Sequence, residues 1–201
     1  MPTTTWWNLE SDKRSQIITR ALAEFASASY EDASLSAIVT DLGIAKGSMY
    51  QYFADKYELY AFVLHYAHEQ LRNEILQRMP VDVYQHGDLF AILHSYFAAL
   101  RDIHQLQPDL LHCIARSTRT ADPINTLAQT LMGRYQDSYL DTLVTTAQQN
   151  RSIRSDIDHH VVIYVVQLLR NDIMFSDTLP PASHFTQVVQ LLDQGLRYRI
   201  R

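Results

Sequence analysis

A single cysteine, Cys113, leaves no partner for an internal disulfide and excludes a zinc site built on cysteines. Lysine is nearly as scarce. Lys13, Lys46 and Lys56 are the only three among 201 residues, and every other Lys/Arg position beyond residue 20 is arginine. Five glycines and six prolines leave long stretches rich in Leu, Ala, Gln and Arg uninterrupted, which points to an all-α chain. Long apolar runs are missing too: the two longest, Leu59 to Leu64 and Val161 to Val166, fall far short of the roughly 20 residues a membrane helix needs. Met1-Pro-Thr-Thr-Thr-Trp-Trp has no apolar core of the signal-peptide kind, so a cytoplasmic protein with no membrane partner is expected.

An excess of positive charge is also lacking. The formal net charge is −5; residues 1–56 carry five Lys/Arg against seven Asp/Glu, and residues 57–201 carry twelve against fifteen. A nucleic-acid partner would have to be held by a local cationic patch and backbone donors rather than by a global field. Lys46 and Lys56 define such a place. They bracket Lys46-Gly-Ser-Met-Tyr-Gln-Tyr-Phe-Ala-Asp-Lys56, and compact, strongly hydrated ammonium groups beside a short helix suit a phosphate backbone.

About nine helices are expected. The first spans about 11–28, capped by Asn8 or Ser11, with Ile17, Ala21, Leu22 and Phe25 on one face. Ser34 caps a short second helix carrying Leu35, Ile38, Val39 and Leu42, and Gly43 stops it by accepting positive φ. Gly43 and Ile44 alone separate it from a third helix, in which Ile44, Met49, Tyr50 and Phe53 are expected inside and Lys46, Ser48, Gln51 and Tyr52 outside. Two short helices joined by a tight glycine turn form a helix-turn-helix. Asp55 and Glu58 make an acidic capping box for a fourth helix ending at Met79-Pro80, with Leu59, Phe62, Val63 and Tyr66 on one face. Further helices are expected over 88–104, 108–117, 123–149 and 156–175, the β-branched run of the last notwithstanding, and a final one carries Phe185, Val188, Val189, Leu192 and Leu196.

The stretch from Lys13 to Val63 resembles the amino-terminal domain of the TetR family of bacterial transcriptional regulators. The resemblance rests on Ile17, Ala21, Phe25, Tyr30, Leu35, Ile38, Gly43-Ile44-Ala45-Lys46-Gly47-Ser48-Met49-Tyr50, Tyr52-Phe53, Lys56 and Leu59. It implies a DNA-binding head over 1–55, a connector helix over 56–79, and a ligand-binding and dimerisation body over 80–201. Within the head, Lys46 and Gly47 open the recognition helix, where a backbone without a side chain permits close approach to phosphate. Ser48, Gln51 and Tyr52 are the candidates for base edges or sugar-phosphate atoms, and Gln51 can present a bidentate amide to adenine. The resemblance also implies phosphate contacts by the Tyr50 hydroxyl and Lys56, and a DNA-facing position for Ser36. Tyr50 and Phe53 have core roles as alternatives, Lys56 a solvated one. Ala45 departs from the Ser or Thr common there and removes a cap. Trp6 and Trp7 lie in an amino-terminal arm that can pack on the head or lie near the duplex.

In the body the resemblance implies a homodimer built on the last two long helices, whose matching apolar faces are Val162, Val165, Val166 and Leu169 with Phe185, Val188, Val189 and Leu192; packing inside the monomer is the alternative. Candidate effector-pocket residues are His94, Phe97, Arg101, Arg116, Tyr135, Tyr139, Gln167 and Asn171, aromatics with a few polar groups. Arg101 or Arg116 turned inward would suit an anionic organic effector. His65 and His68 share a helical face without carboxylate or cysteine partners at clear spacing, so no metal is expected, nor any other cofactor. No nucleophile elbow, phosphate loop or carboxylate pair occurs, and no enzymatic activity is expected. The expected function is a dimeric repressor released from a pseudo-palindromic DNA operator by a small organic effector; the alternative is a helical small-molecule or protein-binding module that no longer reads DNA.

Overall fold

A computed structural model describes residues 2–79, 88–176 and 178–197, with the side chains of 136–141 excepted. Ten helices are described: α1 Thr4–Trp7, α2 Ser11–Ser27, α3 Leu35–Asp41, α4 Lys46–Tyr52, α5 Lys56–Arg78, α6 Leu89–Leu106, α7 Pro108–Ser117, α8 Ile124–Gln149, α9 His159–Phe175 and α10 Ala182–Leu196. The chain is all-α, as its composition requires, and the helix beyond the expected set is the one-turn α1. The β-branched run Val161 to Val166 lies within α9. Its spacing decides over its residue type.

Local chemistry explains the helix ends. Ser34 Oγ accepts from the Ala37 N–H at 3.2 Å and opens α3. At its other end Gly43 takes φ +65°, letting the Gly43 N–H reach Thr40 O at 3.1 Å and the Ile44 N–H reach Val39 O at 3.0 Å. That double bond is the Schellman closure of a helix, and it turns the chain straight into α4. Asp55 Oδ1 accepts from the Glu58 N–H at 2.8 Å, while Glu58 Oε2 reaches back to the Ala54 N–H at 2.6 Å. The latter contact holds the Glu58 carboxyl below its usual range. For α2 the expected caps do not form: Glu10 is the N-cap, Ser11 is already helical, and Asn8 ends α1.

The helices divide into two compact units, one of residues 1–71 and 107–132 and one of 72–106 and 133–201. In the first, α2 packs against α3 and α7. Its interior holds Ile17, Ala21, Phe25, Ile38, Met49, Phe53, Leu59 and Tyr60 together with Leu110, Leu111, Cys113 and Ile114 of α7. In the second, α6 packs against both α9 and α10, burying Phe97, Leu100 and Ile103 with Val162, Val166, Phe185 and Val189.

No helix among the described residues is long and apolar enough to cross a membrane.

Candidate nucleic-acid interface

Helix α4 is seven residues long and rests on Met49 and Tyr52, both buried, followed by buried Phe53. Tyr52 lies three residues beyond Met49 and so shares its face, whereas Tyr50 is rotated about 100° from Met49. The expectation for the two tyrosines is therefore reversed: Tyr50 is 48% exposed and Tyr52 6%. Tyr52 lies on the buried face of α4. The surface of α4 is formed by Lys46, Gly47, Tyr50 and Gln51, all exposed, with Ser48 half-buried. Ser36 is exposed on α3.

A Cβ added at Gly47 would meet nothing within 4 Å, so internal packing does not demand glycine there. Glycine inside a helix costs about 1 kcal/mol against alanine, an expense that close approach of an external group would offset. Among the described residues Lys46 makes no hydrogen bond or ion pair, and its ammonium is available to an outside anion. Ala45, the N-cap, supplies no side-chain acceptor.

Lys56 is differently placed. Its Nζ donates to Glu31 O at 3.0 Å and lies 4.8 Å from the centre of the Tyr30 ring. A cation in the first turn of a helix opposes the dipole; here the Glu31 carbonyl and the Tyr30 ring face compensate. The ammonium still has donors to spare.

Sequence reasoning missed Thr3 and left Trp6 open between packing on the head and lying near the duplex. Thr3 donates from its N–H to Tyr52 O at 3.0 Å and from its hydroxyl to Gln51 O at 2.6 Å. Trp6 is 1% exposed, with its ring centre 4.9 Å from Phe53, 5.3 Å from Phe62 and 6.1 Å from Tyr52. The paired tryptophans signalled this position, but no helical period links the arm to α4. Trp7 stays 58% exposed.

The candidate pocket residues separate. His94, Phe97 and Arg101 of α6 meet Phe185, Thr186 and Val189 of α10 around a groove of about 190 Å³, also lined by Ala98, Asp102 and Ala182. Phe97 and Phe185 stack there at 6.3 Å and 28°. Arg101 Nη1 donates to Pro180 O, and His94 Nε2 faces Thr186 Oγ1 at 3.5 Å. Arg116 belongs to the other unit, where Nε donates to Ala26 O at 2.6 Å. Gln167, Asn171 and Tyr135 are half-buried and do not line the groove; Asn171 Oδ1 accepts from Arg170 at 2.9 Å. Tyr139 lies outside the residues whose side chains are described.

Each expected dimer face is partly buried within the chain. Val162, Val166, Phe185 and Val189 are buried within the chain, and Val165, Leu169, Val188 and Leu192 are half-buried. Their cover is α6, which takes the apolar stripes of both α9 and α10. The apolar side chains exposed on these helices are Val161, Tyr164 and Leu168 of α9 and Leu191 of α10. Of the histidines, His68 is buried in α5. The His/Asp group that converges among the described residues is Asp158, His159 and His160, with ligand atoms within 4.8 Å. Asp158 Oδ1 is already engaged there by the His160 N–H at 2.8 Å, as the cap of α9.

A short helix projecting from a Schellman turn, with cation, amide and phenol outward, is the arrangement of a helix-turn-helix DNA-binding head. Residues 17–63 match the model of the bacterial regulatory proteins of the tetR family. The fold agrees over nearly the whole chain. A TetR family transcriptional regulator from Chloroflexus aurantiacus is similar at 26% identity and TM-score 0.75, covering 99% of this chain and 100% of its own. The fatty acid degradation regulator FadR from Bacillus halodurans shares the fold at 19% identity and TM-score 0.72, over 96% and 100% of the two chains. FadR from Bacillus subtilis, solved with stearoyl-CoA, shares it at 16% and 0.75, over 90% and 98%. No curated protein sequence matches the chain. Over residues 17–63 the chain carries the domain of the bacterial regulatory proteins of the tetR family, and its whole fold is similar to that of a TetR family transcriptional regulator.

Proposed function

We propose that the protein is a cytoplasmic homodimeric repressor that leaves a pseudo-palindromic operator when a small organic effector binds its body. The observation carrying this reading is the face of α4: Lys46, Gly47, Tyr50 and Gln51 point outward on a helix whose other side is fixed by Met49, Tyr52 and Phe53. Lys46 is assigned to phosphate, the Tyr50 hydroxyl to phosphate or sugar, and Gln51 to a base edge, with Ser48, Ser36 and Lys56 at the margin. Two such helices in a dimer would enter successive major grooves roughly 34–36 Å apart.

The dimer face is assigned to Val161, Tyr164 and Leu168, at offsets 0, 3 and 7 along α9, with Leu191 of α10. Exposed apolar side chains on the last two described helices suit a second copy of the chain. The effector is assigned to the groove between α6 and α10. About 190 Å³ is below the usual 300–1,000 Å³ of drug-sized pockets, so a compact ligand fits better than a long acyl chain. Phe97 and Phe185 would take its apolar part, and the remaining Arg101 donors an anionic group. To act as an inducer it must prefer the conformation that does not bind DNA.

Selection of the full-length protein on randomised duplex DNA tests this. Recovery of a two-fold-related sequence with half-sites one helical turn apart is the expected result. Absence of any sequence-selective binding at low salt would leave only a helical binding module.

A further inference from the structure

The arm that precedes the helix-turn-helix closes the far end of the recognition helix. An isolated helix of seven residues is marginal, and its last carbonyls have no partner within it. Helix α4 has no side-chain cap at its start either. Thr3 supplies what is missing, with its hydroxyl on Gln51 O at 2.6 Å and its N–H on Tyr52 O at 3.0 Å. Gln51 therefore has its carbonyl held from inside the chain while its side chain faces outward.

Other bonds hold the arm itself. Trp6 is sunk against Tyr52, Phe53 and Phe62. Arg14 Nη1 donates to Trp7 O at 2.8 Å, tying the arm to α2. The Leu9 N–H reaches Trp6 O at 3.2 Å. Trp6 Nε1 finds no hydrogen-bond partner among the described residues, so the indole is held by shape and apolar burial rather than by its polar atom.

We infer that Thr3 and Trp6 are positioning residues for DNA reading: the arm fixes the axial placement and rotation of Gln51 on α4, and operator affinity depends on it without the arm's contacting DNA. The inference rests on the assignment of α4 as the recognition helix. A loosened C-terminal turn would let Gln51 sample several orientations and degrade base readout. Phosphate contacts by Lys46, at the opposite end, would persist.

The test compares the full-length wild type with Thr3→Val and Trp6→Phe. Thr3→Val removes the hydroxyl bond but keeps the size and the backbone donor. It should weaken operator binding about three- to ten-fold, the worth of one hydrogen bond. The salt slope should stay unchanged, because no phosphate contact is lost. Preference should broaden at the base pair read by Gln51, and the Tyr52 and Phe53 amides should exchange faster in the protein without DNA. Trp6→Phe loses no hydrogen bond but leaves a void where the buried indole sat, so it should also weaken operator binding and speed exchange of the same amides, again with an unchanged salt slope. Wild-type exchange and wild-type affinity in Thr3→Val would overturn the inference, as would a reduced salt slope, which would mean that Thr3 itself touches phosphate. Should the wild type bind no DNA, the assignment of α4 fails on its own, and the exchange rates still decide whether the arm holds the helix.

Discussion

Arg116 on α7 donates its Nε to the carbonyl of Ala26, ninety positions earlier, at 2.6 Å. Ala26 is the penultimate residue of α2, so the bond engages one of the last carbonyls of that helix and places a cation at its negative end. It fastens α7 to the helix that carries the core of the DNA-binding head. In the sequence Arg116 reads equally well as a ligand-binding arginine.

Replacing Arg116 by Ala should therefore lower the stability of the head rather than abolish effector binding. The side chain is largely exposed, which limits the loss to about 1 kcal/mol. Chemical denaturation followed by tryptophan fluorescence measures it, since Trp6 is buried in the same unit. A variant with unchanged stability and no response to effector would return Arg116 to the binding site.

The two lysines around α4 should separate in experiment although they look equivalent in sequence. Lys46→Ala removes an exposed cation with no described partner; it should weaken operator binding, reduce the salt slope by about one unit per lost phosphate contact, and leave the unfolding temperature unchanged. Lys56→Ala also removes the bond to Glu31 O and the contact with the Tyr30 ring. Its melting temperature should fall measurably, consistent with a cation–π contact of about 0.5–1 kcal/mol at an exposed site. Equal melting curves for the two variants would show that the Glu31 and Tyr30 contacts contribute nothing to stability.

The exposed stripe on α9 makes a prediction about assembly. Leu168→Glu introduces a charge beside Val161 and Tyr164 without entering the core, as Leu168 is 49% exposed. Sedimentation should show monomers where the wild type sediments as a dimer, with the helical circular dichroism retained and operator affinity reduced through the lost second half-site. Val162→Glu should instead unfold the unit, because Val162 is 1% exposed. A Leu168→Glu dimer as tight as the wild type would move the interface elsewhere.

Which parts of this were legible follows from the range of each signal. The caps at Ser34 and Asp55, the glycine turn at Gly43 and the helical spacing of Val162, Val166 and Leu169 are local, and each is found where its residues place it. Tyr50 and Tyr52 were harder. Seven residues give fewer than two turns from which to judge a face, and the cover that buries Tyr52 comes from Trp6, 46 positions away. The stripes of α9 and α10 were visible as stripes, but periodicity does not name the partner. Here it is α6.

Cys113 provides the last prediction. It is fully buried on α7, and burial, with a smaller contribution from Asp109, pushes its thiol up to about 12. The Tyr60 phenol, buried nearby in the same unit, is raised as well, chiefly by desolvation, and its hydroxyl has no hydrogen-bond partner among the described residues. Only the thiolate is nucleophilic, so a thiol reagent at about pH 8 should leave the native protein unlabelled and react fully once denaturant is added. The same shift sets a sign on stability. A thiol whose folded value lies above its unfolded one contributes its full share below the unfolded pKa, and that share is lost as pH rises through the window up to about 12. Cys113→Ala should flatten part of the alkaline fall in melting temperature, leaving the part due to Tyr60. Labelling of the native wild type as fast as the denatured chain would mean that α7 opens readily enough to expose its interior face.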